Sequence, residues 1–147
     1  MRAVVTRVNQ ASVEIEGKVN GAIGKGYLVL LGVGPEDTQA QAVWLADRIA
    51  GCRVFEDENG KMNLSLSQVN GEILVVSQFT LYADLKSRRP GFTGAAGPAV
   101  AEPLYRFFMN ELEQKGFRVA HGEFGADMQV FSVNDGPVTL LFDSTVK

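Results

Sequence analysis

The feature that most constrains the fold is the run Met128–Phe142, in which Gly136-Pro137 separates two apolar segments that each predict a buried β-strand. Proline has no N–H to donate to a sheet, so it is normally found at edges, bulges and turns. Asn134 and Asp135, directly before it, are turn-forming residues, and a plain turn between two strands is one interpretation. The other is a backbone shape that is fixed for a function, and the sequence leaves the isomer of the Gly–Pro bond open.

The N-terminal third of the chain predicts β-structure. Residues 2–8 form one predicted strand, and residues 11–16 form a second because apolar and polar side chains alternate there. Asn20-Gly21 predicts a hairpin turn. The continuous apolar run Tyr27–Val33 predicts a strand that is covered on both faces.

Two helices are predicted. The first begins at a cap formed by Asp37 or Thr38, has about four turns and ends near Gly51. Its predicted apolar face consists of Ala40, Val43, Trp44 and Ala50. The second helix spans residues 99–115 and contains Pro103, which is tolerated only near a helix start or at a kink.

Short strands are predicted around the helices, at residues 53–56, 64–69, 72–77, 117–120, 128–133 and 138–142. Asn70-Gly71 predicts a hairpin between two of them. Several short strands with two lone helices indicate an α+β fold. We therefore expect one domain over residues 1–147, with a barrel-like, mostly antiparallel sheet and two outer helices.

The composition restricts the chemistry that is available. The chain has one cysteine, Cys52, and one histidine, His121, so no pair of these residues is spaced as zinc ligands. His121 lies in a polar stretch that predicts a loop, which disfavours a nucleophile activated by an imidazole. We predict neither a metal nor a cofactor. The single cysteine and an N-terminus without a signal-peptide pattern predict a cytoplasmic protein.

The formal net charge is −3, so nucleic acid could bind only through a local basic patch. The best candidate is Lys86-Ser87-Arg88-Arg89, inside the Gly/Pro-rich loop at residues 84–98. A solvated loop with incidental charges is the alternative interpretation.

A second signal lies in Glu72–Tyr82, which begins as a buried strand and is then interrupted by Ser77-Gln78 and Phe79-Thr80. Polar side chains in a buried strand need partners, since an unpaired buried polar group costs about 1–3 kcal/mol. They either form the polar face of the sheet or line a pocket. In a pocket, Phe79 would suit a purine, because base–aromatic stacking contributes about 1–3 kcal/mol.

Ser77-Gln-Phe-Thr-Leu81 and Asn134-Asp-Gly-Pro-Val-Thr139, in this order and at this spacing, resemble the two signature segments of the D-aminoacyl-tRNA deacylases. Arg7-Val8, Gly60–Asn63 and Phe124–Met128 add to the resemblance, which covers essentially the whole chain. Members of that family are cytoplasmic homodimers of barrel-like subunits, with the active site at the subunit interface. They are hydrolases that carry out chiral proofreading, which is a form of translation quality control.

The resemblance implies both an activity and a site. The activity is hydrolysis of the ester between a D-amino acid and the 3′-terminal adenosine of tRNA, and also removal of glycine mischarged on alanine tRNA. Gly136-Pro137 would be the Gly-cisPro element that one subunit inserts into the other's pocket, with Arg7 holding it in orientation. The implied catalytic residues are Ser77, Gln78, Phe79 and Thr80, and the implied substrate-binding residues are Gly136, Pro137, Arg7, Phe79 and Met128.

The route of catalysis and the activity itself both remain open at this point. Catalysis could use Thr80 as a covalent nucleophile, or it could use water that the vicinal ribose 2′-hydroxyl positions or activates. A sister group of deacylases removes L-amino acids from tRNA, although its first motif departs from Ser-Gln-Phe-Thr-Leu. The other alternative to the D-specific activity is a non-catalytic tRNA-binding module.

Overall fold

One long strand, β1 (Arg2–Ile15), organises the sheet in the computed structural model, which describes residues 1–146. The C-terminal part of β1 pairs antiparallel with β2 (Lys18–Ile23), and its N-terminal part pairs antiparallel with β3 (Gly26–Gly32). Nearly its whole length also pairs antiparallel with β8 (Gln129–Asp143). These pairings give β1 the central position in the sheet.

The sheet continues from β3 through two parallel pairings and nearly closes on itself. The strand β6 (Glu72–Ser77) pairs with β3, and β7 (Val119–His121) pairs with β6. At the far side, Asn20 Nδ2 of β2 donates a hydrogen bond to the His121 carbonyl at 2.8 Å. A Cβ at Gly21 would lie 2.8 Å from the same oxygen, so glycine permits this close approach. The predicted barrel-like sheet is thus confirmed.

The first predicted helix is confirmed as α1 (Gln39–Gly51). Thr38 is its cap: the hydroxyl accepts from Ala40 N at 3.3 Å, while Gln41 Oε1 accepts from Thr38 N at 2.7 Å. This reciprocal pair satisfies backbone donors that the first turn of a helix leaves free.

The predicted apolar face of α1 is wrong. The buried residues are Ala42, Leu45, Ala46 and Ile49. Val43 is 44% exposed, and Trp44 is only partly buried against the core. The observed spacing i, i+3, i+4, i+7 is the one that an amphipathic helix uses. Trp44 drew the prediction toward the neighbouring face because it is the largest apolar side chain in the segment.

The second predicted helix is confirmed as α2 (Pro98–Gln114), with Pro103 inside it. Helices α1 and α2 pack against each other outside the sheet. Tyr105 of α2 is buried, and its hydroxyl donates to the Val75 carbonyl of β6 at 3.1 Å. Burial raises the pKa of Tyr105 to about 12, so the hydroxyl remains a donor at neutral pH.

Two apolar clusters stabilise these layers. The larger lies between the helices and the sheet, and includes Leu45, Phe55, Phe108 and Leu112. The smaller lies on the other side of the sheet, inside the barrel, and includes Val8, Val13, Leu74 and Val76. Strand β3 contributes Tyr27, Val29 and Leu31 to the larger cluster and Leu28 to the smaller one. The prediction that its apolar run is covered on both faces is therefore confirmed.

Two predictions in the N-terminal third are wrong. Residues 2–8 and 11–15 belong to a single strand, because the backbone stays extended through the exposed Asn9 and Gln10. The hairpin turn is Glu16-Gly17, with φ of 51° and 77°. Two positive φ angles in a two-residue loop match the twist of antiparallel strands. Asn20-Gly21 instead lies within β2.

The hairpin predicted at Asn70-Gly71 is also wrong. Strand β4 (Phe55–Glu56) pairs with the short β5 (Met62–Leu64), and a 3₁₀-helix at Ser67–Val69 follows. Gln68 Oε1 accepts from Ser65 N at 2.8 Å, a side-chain contact that favours the helical turn over an extended strand. Asn70, with φ of 53°, ends that turn and leads into β6.

None of the helices in residues 1–146 has the length and hydropathy needed to cross a membrane.

The corrected face of α1 can be tested with a matched pair of substitutions. Leu45→Ala should lower the free energy of unfolding by about 2–5 kcal/mol, because it leaves a cavity in a fully buried site. Val43→Ala should change it by less than about 1 kcal/mol, since Val43 lies on the exposed side of the helix. Urea unfolding of both variants measures the difference, and equal losses would contradict the assigned face.

Candidate functional site

Gly136 and Pro137 lie in a bulge of β8, opposite a single residue of β1. Thr6 pairs with Thr139 and Val8 pairs with Asn134, so Arg7 alone faces the segment 135–138. The bond between Gly136 and Pro137 is cis. The interpretation as a plain turn between two separate strands is wrong, because β8 runs continuously from Gln129 to Asp143.

The Arg7 side chain fixes the base of this bulge. Arg7 is 4% exposed, and its Nε lies 3.2 Å from both the carbonyl oxygen and the Oδ2 of Asp135. Its Nη1 donates to the Val54 carbonyl at 2.5 Å. Charge-assisted bonds of this kind are stronger than neutral ones. The guanidinium therefore joins the bulge to the segment before β4.

Gly136 cannot be replaced by a larger residue without movement of this contact. Its φ is +124°, and an added Cβ would lie 2.9 Å from Arg7 Nη2 and 3.0 Å from Val138 N. Residues with a side chain rarely adopt such a φ. Gly136 and Pro137 are both exposed, although the base beneath them is buried.

A cavity of about 550 Å³ opens at the C-terminal end of β6. It lies between the second 3₁₀-helix (Phe79–Tyr82), the start of α2 and the segment before β8. Its lining residues are Val33, Val76, Ser77, Gln78, Phe79, Ala96, Pro98, Ala101, Phe124, Gly125, Ala126, Asp127, Met128 and Val130. The cavity thus brings together four of the residues expected from the sequence: Ser77, Gln78, Phe79 and Met128.

The other expected residues lie elsewhere in the same subunit. Thr80 follows directly after the lining residues but does not line the cavity itself. Arg7, Gly136 and Pro137 are outside it as well. Within one chain the structure therefore has two separate groups, the cavity around Phe79 and the bulge around Gly136.

The polar floor of the cavity forms where β6 leaves the sheet. Gln78 N donates to the Leu31 carbonyl at 2.7 Å, which ends the β6 ladder, and the chain then turns into the 3₁₀-helix. The Gln78 side-chain amide donates to Thr80 Oγ1. Within residues 1–146, no imidazole or carboxylate accepts a hydrogen bond from the Thr80 hydroxyl. The hydroxyl therefore has no general base of its own.

Arg2 holds the 3₁₀-helix against the sheet. Its Nη1 donates to the Leu81 carbonyl at 3.0 Å, and its guanidinium lies 4.4 Å from the Tyr82 ring centroid. Its Nε donates to Asp143 Oδ2 at 3.0 Å. Burial, together with the nearby Asp37 carboxylate, raises the pKa of Tyr82, which stays uncharged in this position. Arg2 thereby joins the start of β1, the end of β8 and the floor of the cavity.

Phe79 and Thr80 offer both an apolar surface and free donors. Phe79 is 55% exposed, and its ring meets the ring of Phe92 edge-on with 5.2 Å between centroids. An edge-on contact leaves a ring face available for stacking. In residues 1–146 the amide N–H groups of Phe79 and Thr80 have no acceptor, as expected at the first positions of a helix.

Asp127 is the one charged residue among those that line the cavity, and the sequence analysis missed it. It lies within the segment Phe124–Met128, which was noted only as part of a resemblance. A carboxylate in a loop shows no periodicity, so its place in the wall of the cavity could not be read from the sequence. A carboxylate in an otherwise uncharged cavity favours a ligand that carries a cationic group.

The other reactive side chains do not contribute to the cavity. His121 ends β7 rather than lying in a loop as predicted, and its Nδ1 lies 2.6 Å from the Gly122 carbonyl. Cys52 packs against the core, where burial raises the pKa of its thiol. Residues 1–146 contain no cluster of three His, Cys, Asp or Glu side chains that could hold a metal ion. The cavity can act through backbone amides, the Gln78 amide, hydroxyls and one carboxylate.

Comparison with known proteins gives one consistent family. The family described as D-Tyr-tRNA(Tyr) deacylase matches residues 4–143. A D-aminoacyl-tRNA deacylase of Desulfatibacillum aliphaticivorans is 59% identical over 98% of this chain and 99% of the relative. A D-aminoacyl-tRNA deacylase of Lacticaseibacillus casei (strain BL23) is 55% identical over 100% of both chains.

Solved structures agree with the fold. The structure described as c-Myc DNA Unwinding Element Binding Protein has a TM-score of 0.91 and 45% identity, covering 97% of this chain and 98% of that chain. The structure of a probable eukaryotic D-amino acid tRNA deacylase has a TM-score of 0.85 and covers 96% of this chain and 97% of that chain. Its identity is 18%, so it supports the fold alone.

The role of the guanidinium at the bulge can be tested with Arg7→Lys. Lysine keeps the charge but has a single donor group, which cannot reach Val54 and Asp135 together as the planar guanidinium does. We expect a loss of about 1.5–3 kcal/mol in the free energy of unfolding, the range for hydrogen bonds to charged groups. Arg106→Lys, at an exposed site on α2, is the matched control and should change it by less than about 0.5 kcal/mol. Urea unfolding of the two variants gives the answer, and an Arg7→Lys protein as stable as the control would refute the anchor.

Proposed function

The chain belongs to the D-Tyr-tRNA(Tyr) deacylase family, and we infer that it is a D-aminoacyl-tRNA deacylase. It hydrolyses the ester bond of D-aminoacyl-tRNAs and releases free tRNA and the D-amino acid. The observation that carries this conclusion is the match over residues 4–143, which includes every residue of the cavity and of the bulge.

The cavity suits the reacting end of such a substrate. Its volume of about 550 Å³ lies in the range of ligand pockets, about 300–1,000 Å³. The exposed face of Phe79 provides a stacking surface for the terminal adenine. The Asp127 carboxylate complements the ammonium group of an aminoacyl ester. We assign Ser77, Gln78 and Met128 to the walls around the ester.

The complete site requires a second copy of the chain, which inserts its bulge into the cavity. Three features support this homodimer. Gly136 and Pro137 are exposed but stand on a base that Arg7 fixes, and they lie outside the cavity of their own chain. Strand β8 pairs only with β1 among the strands of residues 1–146, so its other edge is open. This strand also exposes Val130, Phe131, Val133 and Leu141, by 41% to 81%.

An open, partly apolar edge of this length is unfavourable in water and is normally covered. A second copy would cover it and would bring Gly136-Pro137 to the partner's Phe79 region. The cavity and the bulge, which are separate within one chain, would then form one site.

The bulge would select the hand of the substrate by exclusion. A rigid main chain beside the α-carbon leaves no space on the side where an L-side chain projects. Such a collision discriminates more strongly than an apolar pocket, which distinguishes one methylene by only about 1–3 kcal/mol. Specificity then comes from rejection of the wrong partner. Glycine has no side chain to reject, so glycine mischarged on alanine tRNA is accepted too.

Catalysis would proceed by direct attack of water. The water oxygen bonds to the ester carbonyl carbon, and the bond from that carbon to the ribose oxygen breaks. One proton of the water passes to the ribose oxygen, and the other leaves with the carboxyl group of the released amino acid. The vicinal 2′-hydroxyl positions the water, since the cavity holds no imidazole. The free N–H groups of Phe79 and Thr80 stabilise the negative charge that develops on the carbonyl oxygen.

The activity is tested with purified protein and matched substrates. We expect hydrolysis of D-Tyr-tRNA and of glycyl-tRNA(Ala), and no hydrolysis of L-Tyr-tRNA above the rate without protein. Release of labelled amino acid measures all three. Hydrolysis of L-Tyr-tRNA would indicate the sister activity, and hydrolysis of none of them would indicate a binding module.

The route of catalysis is tested at Thr80. Thr80→Ala should keep kcat for D-Tyr-tRNA within about threefold of the parent, because the hydroxyl has no base and takes no part in direct attack by water. Thr80→Ser is the matched control, which keeps a hydroxyl. Loss of turnover in the Ala variant alone, with the Ser variant active, would establish Thr80 as the nucleophile instead.

A further inference from the structure

A short loop between the 3₁₀-helix and α2 concentrates positive charge. Residues 84–91, called here the basic loop, carry three of the chain's 14 Lys and Arg residues, namely Lys86, Arg88 and Arg89. The loop is closed at its base, where Asp84 N donates to the Gly91 carbonyl at 2.7 Å and Gly91 N donates to the Asp84 carbonyl at 3.0 Å. It is therefore a defined projection from the surface.

The cations of the basic loop are free to bind a ligand. Lys86, Arg88 and Arg89 are exposed, and none has a carboxylate partner within residues 1–146. The one acid of the loop, Asp84, accepts from the backbone N of Lys86 at 3.0 Å. In a chain with a net charge of −3, this local excess of positive charge stands out. Such a patch attracts an anionic partner.

The loop is also ordered from within. The Ser87 hydroxyl donates to the Arg89 carbonyl at 2.7 Å, on top of the bonds at its base. A loop that is shaped before binding loses less conformational freedom when it binds. A purely solvated loop would not need these contacts.

The basic loop lies next to the cavity. Phe92 follows the loop directly, and its ring contacts Phe79 with 5.2 Å between centroids. Arg88 and Arg89 are at most four residues from Phe92, and four residues span at most roughly 14 Å. In a DNA duplex each strand carries one phosphate per about 3.4 Å of helix axis. The cations can therefore reach phosphates only a few nucleotides from a base stacked on Phe79.

We propose that the basic loop binds backbone phosphates of the tRNA 3′ arm, a few nucleotides before the esterified adenosine. This inference rests on the proposed function, since it names how the substrate of that site is held. The planar guanidinium groups of Arg88 and Arg89 fit phosphate oxygens with two parallel hydrogen bonds. The contact is electrostatic and independent of sequence, so it secures the substrate without selecting the amino acid.

The test compares a long and a short substrate. For Arg88→Ala/Arg89→Ala we expect kcat/KM on D-Tyr-tRNA to fall about tenfold through KM, with kcat unchanged. In a plot of log(kcat/KM) against log salt concentration, the slope should become shallower by about 1–2. Each phosphate contact that is removed accounts for roughly one unit of slope. On D-tyrosyl-adenosine, which has no phosphate backbone, the variant should equal the parent.

Two further variants control for charge. Lys18→Ala/Lys61→Ala removes the same net charge from exposed sites on other segments and should leave the D-Tyr-tRNA kinetics unchanged. Arg88→Lys/Arg89→Lys keeps the charge and should restore most of the lost affinity. An equal loss in the Lys18/Lys61 variant, an equal loss on both substrates, or no loss at all would overturn the proposal.

A binding measurement separates this inference from the proposed function. Fluorescence anisotropy with uncharged tRNA reports on the basic loop even if no ester is hydrolysed. Weaker binding by the Arg88→Ala/Arg89→Ala protein than by the parent would support phosphate binding by the basic loop, whether or not the protein hydrolyses the ester. Equal binding would reject it, while hydrolysis of D-tyrosyl-adenosine by the parent would still support the deacylase activity.

Discussion

The arrangement of the site depends on a buried guanidinium that sits opposite a bulge. Arg7 is the single residue of β1 that faces the segment 135–138, and its bonds to Asp135 and Val54 fill the space that the bulge opens. Without this contact the half-buried carbonyl of Asp135 would lose its donor, which is costly. The same contact determines that Gly136 must be glycine. The burial of the charged Arg7 side chain is thus explained by the exposed bulge whose main chain it supports.

A second arginine on the same strand supports the floor of the cavity. Arg2 contacts the Leu81 carbonyl, the Tyr82 ring and Asp143. None of the residues of the 3₁₀-helix is fully buried. Its position therefore depends on Arg2 and on the packing of Tyr82 against Gly32 and Gly34. The cavity needs this precision because its chemistry comes from backbone amides, whose direction is set by the local main chain.

The sequence predicted the fold class, both helices and the strands at β3 and β6, because long apolar runs and helix caps are local signals. The predictions of hairpin turns were wrong where side-chain contacts outweigh the turn propensity of Asn-Gly. Asn70-Gly71 follows a helical turn stabilised by Gln68 and Ser65, and Asn20-Gly21 is held in β2 by its contact with His121. Ser77, Gln78 and Phe79 were found through their polar interruption of a buried strand. Asp127 and Phe92 were missed because their neighbours in space come from distant segments.

Strand β1 carries both arginines, and this has a consequence for the proposed homodimer. Arg2 would support the floor of its own subunit's cavity, while Arg7 would support the bulge that enters the partner's cavity. One strand would therefore serve two catalytic centres that lie in different subunits. In a mixed dimer with one Arg2-defective and one Arg7-defective chain, both lesions would converge on one centre, and the other would keep an intact floor and an intact bulge.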